Sequence, residues 1–234
     1  MDRNFIDYRL SYSKLGLMKF IGHIDTMKLF HKIFRMSGLP TAFSQGFNPH
    51  QIFTIAHPLA LGMEGRHELA DFRLNAEVSV EEIIACLNER TPSGLQIIGV
   101  RKLAQGEKNC AALVAAADYT VELDNASPKE ALQQAVSNIL AKTEMVVSKR
   151  TKSGTSQADI RPDIMDISVG AESINMRISA GSAANLKPQL VVQEIFREAV
   201  GADFCAAVPY NEYAQRYTRT QLFYRNENGL TQIN

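Results

Sequence analysis

Apolar and polar residues alternate at the start of the chain. Tyr8, Leu10 and Tyr12 fall on every second position, which predicts a strand over residues 5–13. The period then lengthens. Ile24, Met27, Phe30, Ile33 and Phe34 recur at spacings of three and four, predicting an amphipathic helix from His23 to Ser37. Asp25 sits in its first turn, where a carboxylate complements the positive end of the helix dipole. Gly38 and Pro40 provide the stop. Two strands are predicted over residues 51–60 and 67–75, about the turn Gly62-Met63-Glu64-Gly65. Ser79 and Glu82 carry a capping-box signature that opens a second helix, ended by Pro92 and Gly94. Residues 95–103 read as the next strand. This β-α-β-β-α-β order is the ferredoxin-like one.

Residues 104–117 are rich in alanine and poor in signals, and they mark a boundary. The second half begins again with a strand over 118–123. A second capping box, Ser127-Pro128-Lys129-Glu130, opens a helix that runs to about Lys142. Residues 145–149 read as a strand and 150–161 as a polar, basic loop. Two more strands follow over 164–169 and 173–180, then a helix from Pro188 to Val200 stopped by Gly201. The expected fold class is α+β, with two ferredoxin-like halves over 1–104 and 118–234. The second half carries an extra or extended hairpin.

Composition narrows the functional classes. A chain of 234 residues with 45% hydrophobic content has room for one large domain or two small ones. No apolar run approaches the ~20 residues of a membrane span. Met1-Asp2-Arg3-Asn4 does not lead into an apolar signal core, so a cytoplasmic location is expected and no membrane partner. Cys86, Cys110 and Cys205 are widely spaced, which argues against a zinc ribbon or a cysteine-held iron–sulfur cluster. Cys86 falls on the apolar face of the second helix. Walker A, Rossmann and HExxH patterns are absent, which argues against nucleotide hydrolysis and simple metalloprotease chemistry. No resident cofactor is expected.

Charge is balanced overall, with 25 basic and 25 acidic residues, but not locally. Between Leu10 and Ala60 stand Lys14, Lys19, Lys28, Lys32 and Arg35 against Asp25 alone. A neutral protein with one basic region suits a local anionic ligand. All five histidines lie between His23 and His67. The densest stretch is Phe43-Ser44-Gln45-Gly46-Phe47-Asn48-Pro49-His50. Gly46 permits positive φ and Pro49 keeps Asn48 out of the helical region, so the run is a shaped loop. Asn48 and His50 bring donors and acceptors. Phe47 can stack on a base, although the burial tendency of Phe favours a core position. His23 and Asp25 stand at a helix start, where free amides take anions. The ligand-binding candidates are therefore His23, Asp25, Arg35, Gln45, Gly46, Phe47, Asn48 and His50. Acid–base candidates are His23, His50, Glu68 and Asp71, with a surface position near the turn as the plainer reading of Glu68 and Asp71. His50, His57 and His67 offer ligand nitrogens, but their spacing matches no metal motif and no metal is expected. Further on, Lys149, Arg150, Lys152 and Arg161 form a basic run. Arg216, Arg219 and Arg225 interleave with Tyr217, Phe223 and Tyr224. Arginine beside aromatics suits RNA, and a charged edge strand with a solvated tail is the plainer reading.

Several of these motifs occur together in one known group. Phe20-Ile21-Gly22-His23-Ile24-Asp25, Arg35 with Gly38-Leu39-Pro40, Gln45-Gly46-Phe47-Asn48-Pro49-His50 and Pro58-Leu59-Ala60-Leu61-Gly62 lead into Glu68 and Asp71. Lys152, Asp159-Ile160-Arg161-Pro162, Asn185-Leu186-Lys187-Pro188 and Arg219 near Leu222-Phe223-Tyr224 follow. On these residues the chain resembles a bacterial family of unknown function linked to radical S-adenosylmethionine proteins, fused to them or encoded beside them. Met36 stands where that family carries a second arginine, so no paired-arginine clamp is expected. The resemblance implies a partner class, a radical S-adenosylmethionine protein, and no particular reaction. The function expected is an accessory or substrate-recognition protein for such an enzyme, binding an anionic substrate such as tRNA or rRNA. In that reading Lys149, Arg150, Lys152, Arg161 and Arg219 contact phosphate or the partner. The alternative is a stand-alone RNA-modifying or metal-dependent enzyme built on the His, Asp and Glu cluster of the first half.

Overall fold

The computed structural model describes residues 5–125, 127–151, 154–201 and 216–233. The fold is α+β. In chain order the strands are β1 (Ile6–Lys14), β2 (Phe53–Ile55), β3 (Glu64–Leu74), β4 (Leu95–Lys102), β5 (Val114–Glu122), β6 (Val146–Thr151), β7 (Gly154–Asp159), β8 (Ile164–Val169), β9 (Ser173–Ser179), β10 (Tyr217–Asn226) and β11 (Gly229–Gln232). The helices are α1 (His23–Ser37), α2 (Val80–Asn88), α3 (Cys110–Leu113), α4 (Lys129–Ala141) and α5 (Pro188–Val200). Two compact units result: Met1–Val114 with Arg219–Asn234, and Ala115–Thr218. Residues 219–234 thus return to the first unit. Among the described residues no helix is long and apolar enough to cross a membrane.

In the first unit, β1 lies between β3 and β4 and pairs antiparallel with both, and the short β2 pairs antiparallel with β3. Tyr8, Leu10 and Tyr12 point to one face of β1, as their alternation requires, and meet Phe30, Ile33 and Phe34 of α1 and Ile83 and Leu87 of α2. The core is rich in aromatics. The Tyr8 and Phe72 rings stack at 5.4 Å and those of Phe30 and Phe53 at 4.8 Å. The helix stripe departs from expectation at its start, where Ile24 is 68% exposed and the core-facing residue of the first turn is Thr26. Ser79 caps α2 by accepting the Glu82 amide at 3.2 Å. On the other face of β1, Arg9 is buried. It holds both oxygens of Asp71 at 2.8 and 3.1 Å, and Asp71 also accepts the Cys110 amide at 2.7 Å. The polar strand face thereby fixes the segment leading into α3.

In the second unit, β9 pairs antiparallel with both β5 and β8, while β6 and β7 form a separate hairpin. Leu132, Val136 and Ile139 of α4 and Val192, Ile195 and Phe196 of α5 are buried, as are Ile167, Ile174, Met176 and Ile178 of the strands. Two sequence expectations are corrected. The stretch 150–161 is largely a strand, β7, in register from Gly154 opposite Thr151 to Asp159 opposite Val146. Its polar side chains hid a pairing that lies between neighbours in a hairpin rather than in a buried layer. The capping box at Ser127 does not form. Pro128 occupies the cap position with no side-chain bond to the helix, so Ser127 stands one residue too early to reach the first free amides.

Candidate nucleic-acid interface

The Phe43–His50 run folds as a closed loop. Its neck is a bridge between Phe43 and Gln51, reinforced by the Ser44 amide donating to the His50 carbonyl at 2.8 Å. The Ser44 hydroxyl accepts the His50 amide at 3.1 Å and lies 3.0 Å from Nδ1 of its ring. Gly46 takes φ 117°, a conformation that favours glycine. The tip is fully open. Phe47 is 112% exposed relative to the reference state and Phe43 is 46% exposed. The core position expected for Phe47 is therefore not taken up. Gln45, Gly46, Asn48 and His50 are exposed with it.

Just after the loop, the Phe53 ring meets the His31 ring of α1 edge-on at 6.1 Å. Burial lowers the His31 pKa, and His50 and Arg35 push it down further. Lys28, Lys32 and Arg35 recur at four and three residues on the exposed side of α1. Lys28 is paired with Asp25 at 3.3 Å. Among the described residues Lys32 and Arg35 have no carboxylate within ion-pair distance. Beneath the surface, Nε2 of His31 and Oε1 of Gln51 are buried without hydrogen-bond partners among the described residues. The loop thus presents exposed rings, and the exposed side of α1 presents cations that lack carboxylate partners among the described residues. Lys32 and Phe43 were not singled out as site residues from the sequence. The spacing of Lys28, Lys32 and Arg35 was the signal that could have found Lys32.

The structure does not bring the other candidates to this surface. His23 and Asp25 are exposed at the opposite end of α1, twelve residues before Arg35 in the case of His23, or about 18 Å along the helix. Glu68 and Asp71 are not near-surface turn residues but buried ones, 1% and 7% exposed. They are three apart on β3 and so face opposite sides of the sheet. Asp71 belongs to Arg9, and Glu68 to Arg219. That arginine is 1% exposed, donates through Nε to Glu68 at 2.8 Å and through Nη2 to both Glu68 and the His57 carbonyl, and cannot touch an external phosphate in this arrangement. The close fold of Glu68 over Gly65 leaves no room for a side chain there, since a Cβ would come within 2.5 Å of the Glu68 Cγ. Arg161 is likewise committed. Its guanidinium donates to the carbonyls of Leu140, Lys142 and Ile164 at 2.9–3.0 Å, closing the C-terminal end of α4 where a cation also suits the helix dipole. Lys149 and Arg150 lie on β6, and Lys152 lies outside the described residues. His50, His57 and His67 do not converge. Among the described residues no group of three or more His, Cys, Asp or Glu side chains is placed to hold a metal ion.

A family model matches residues 7–188, more than half of the chain. The chain belongs to the family of uncharacterized proteins conserved in bacteria (DUF2344). The match spans the loop, α1 and the paired carboxylates of β3, and stops before Arg219. No curated protein matches the chain.

Proposed function

We propose that this protein is a recognition module that binds a single-stranded or looped stretch of RNA, and that it presents this RNA to a radical S-adenosylmethionine enzyme. The observation that carries the RNA reading is the uncovered Phe47 ring of the loop together with Lys32 and Arg35, exposed on α1 and, among the described residues, without a carboxylate in ion-pair distance. A sequence-tolerant RNA site needs flat apolar faces for stacking and cations for phosphate, held on a scaffold rigid enough to keep them together. Loop and helix supply these elements. The enzyme partner rests on the resemblance of the loop and its flanking motifs to the radical S-adenosylmethionine-linked family. The strand order β4-β1-β3 with β2 on the far side of β3 supports a ferredoxin-like reading of the first unit. The sequence β5-α4-β8-β9-α5, with β6–β7 as an insertion, supports the same reading of the second. A catalytic role for Glu68 and Asp71 lacks comparable support, because each carboxylate already neutralises a buried arginine.

The test is a titration of labelled single-stranded RNA at several salt concentrations. Affinity should fall as salt rises, with a slope of about −0.7 in log–log form for each phosphate neutralised, and Lys32→Ala should make the slope shallower by about that amount. Affinity independent of salt would remove the phosphate contacts from the account. Anaerobic purification of the tagged protein from its native cells addresses the partner. Recovery of an iron–sulfur radical enzyme is expected, and its absence would leave an RNA-binding module without that partner.

A further inference from the structure

Near the other end of α1 a lysine is buried with no carboxylate in ion-pair distance among the described residues. Lys14 is 2% exposed, and among the described residues its ammonium donates to one acceptor, the Ile21 carbonyl, at 2.6 Å. The acid that most influences it is Glu68, whose carboxylate is bound through both oxygens by Arg219. Arg9, by contrast, has Asp71 within 2.8 Å. Buried ions are ordinarily paired, because an isolated one forfeits its hydration for nothing in return. Burial lowers the Lys14 pKa, and Arg219 lowers it further against the opposing pull of Glu68.

Lys14 does not face solid core. With Tyr12, Thr26, Ile55 and Leu59 it lines a small cleft that reaches the exposed His23. The cleft has room for about one water-sized atom. Exposed apolar side chains stand in the chain segments next to His23 and Leu59. Leu17 is 84% exposed, Phe20 49%, Ile24 68% and Leu61 63%. The turn carrying Leu61 is tied to the segment carrying Leu17 and Phe20 by the Gly62 amide donating to the Lys19 carbonyl at 2.8 Å. Gly22 at the start of α1 brings no side-chain cap to the first-turn amides.

We propose that this cleft binds an amphipathic oxyanion, a carboxylate or phosphate head on an apolar body. One oxygen of the head enters the cleft and pairs with Nζ of Lys14. The remainder of the head lies at His23, and the body covers Phe20, Ile24 and Leu61. This site is separate from the RNA surface and stands whether or not that reading holds.

The test follows the Cε–Hε resonance of Lys14 by NMR in full-length protein labelled with 13C-lysine. Four probes are titrated: acetate, hexanoate, inorganic phosphate and hexyl phosphate. At least one of the longer probes should saturate, move the Lys14 resonance and raise its titration midpoint. It should bind at least tenfold tighter than its short counterpart, since each buried methylene is worth about fourfold. The better of hexanoate and hexyl phosphate identifies the head. Ile24→Ser, on the exposed rim, should weaken the longer probe several-fold and leave the short one unchanged. His23→Ala should weaken both. A Lys14 resonance that none of the four moves would overturn the proposal, as would equal binding of long and short probes.

Discussion

Glu68 and Phe47 are opposites. Glu68 is 1% exposed and gives both carboxylate oxygens to Arg219, whereas Phe47 touches nothing that covers it. Both lie in motifs that read as chemical in the sequence. The interior of β3 spends its charges on one another: Arg9 with Asp71, and Arg219 with Glu68. The loop and α1 leave theirs open: among the described residues Lys32 and Arg35 have no carboxylate partner, and Phe43 and Phe47 are presented to solvent. Polar residues that find partners inside fix the fold, and those that lack partners outside are available to a ligand. Substitutions in the first group should act on stability, and those in the second on binding.

The largest effect is expected at the β3 pair. Glu68→Ala strands the Arg219 guanidinium in the interior and should cost about 3–5 kcal/mol in urea unfolding, while Glu68→Leu combined with Arg219→Met should recover most of it. An unchanged unfolding midpoint would mean that the pair is not buried in solution. Arg161 comes next. Arg161→Met removes two hydrogen bonds to the end of α4 and one to Ile164 of β8 and should cost about 1–3 kcal/mol with RNA affinity unaltered. Lost RNA affinity at full stability would move Arg161 into the binding group. The smallest effect concerns pH. The folded state holds His31 neutral, below its ordinary 6.5, chiefly through burial. As pH falls below 6.5 the unfolded chain takes up the proton first, so stability drops with acidification. His31→Gln should make that drop shallower, and His67, also lowered by burial, should account for part of what remains. A pH profile identical in His31→Gln would contradict the burial of the ring.

Local signals carried the regular elements. The helix over His23–Ser37 follows from the spacing of Phe30, Ile33 and Phe34 and the stop at Gly38, which takes a left-handed conformation. The helix Pro188–Val200 follows in the same way from its proline start and glycine end. The loop at Gly46 to His50 was legible because Gly46 and Pro49 exclude regular structure. What was not legible is pairing over distance. Arg219 meets Glu68 across 151 residues, and nothing near either residue announces it. The same holds for Asp71, which looks like a free acid until β1 places Arg9 beside it. Arg161 stands in a basic run yet serves carbonyls at the end of α4. Burial decided these roles, and burial is a property of the assembled sheet. Phe47 misled in the opposite direction, because its hydrophobicity predicts core and the closed neck at Ser44 and His50 holds it outside.

Phe47→Ala tests the division between the two regions most directly, through RNA affinity and urea unfolding measured on the same protein. The account predicts a loss of affinity of roughly 5- to 150-fold, the worth of one stacked base, with the unfolding midpoint unchanged. Affinity equal to that of the unaltered protein would contradict it.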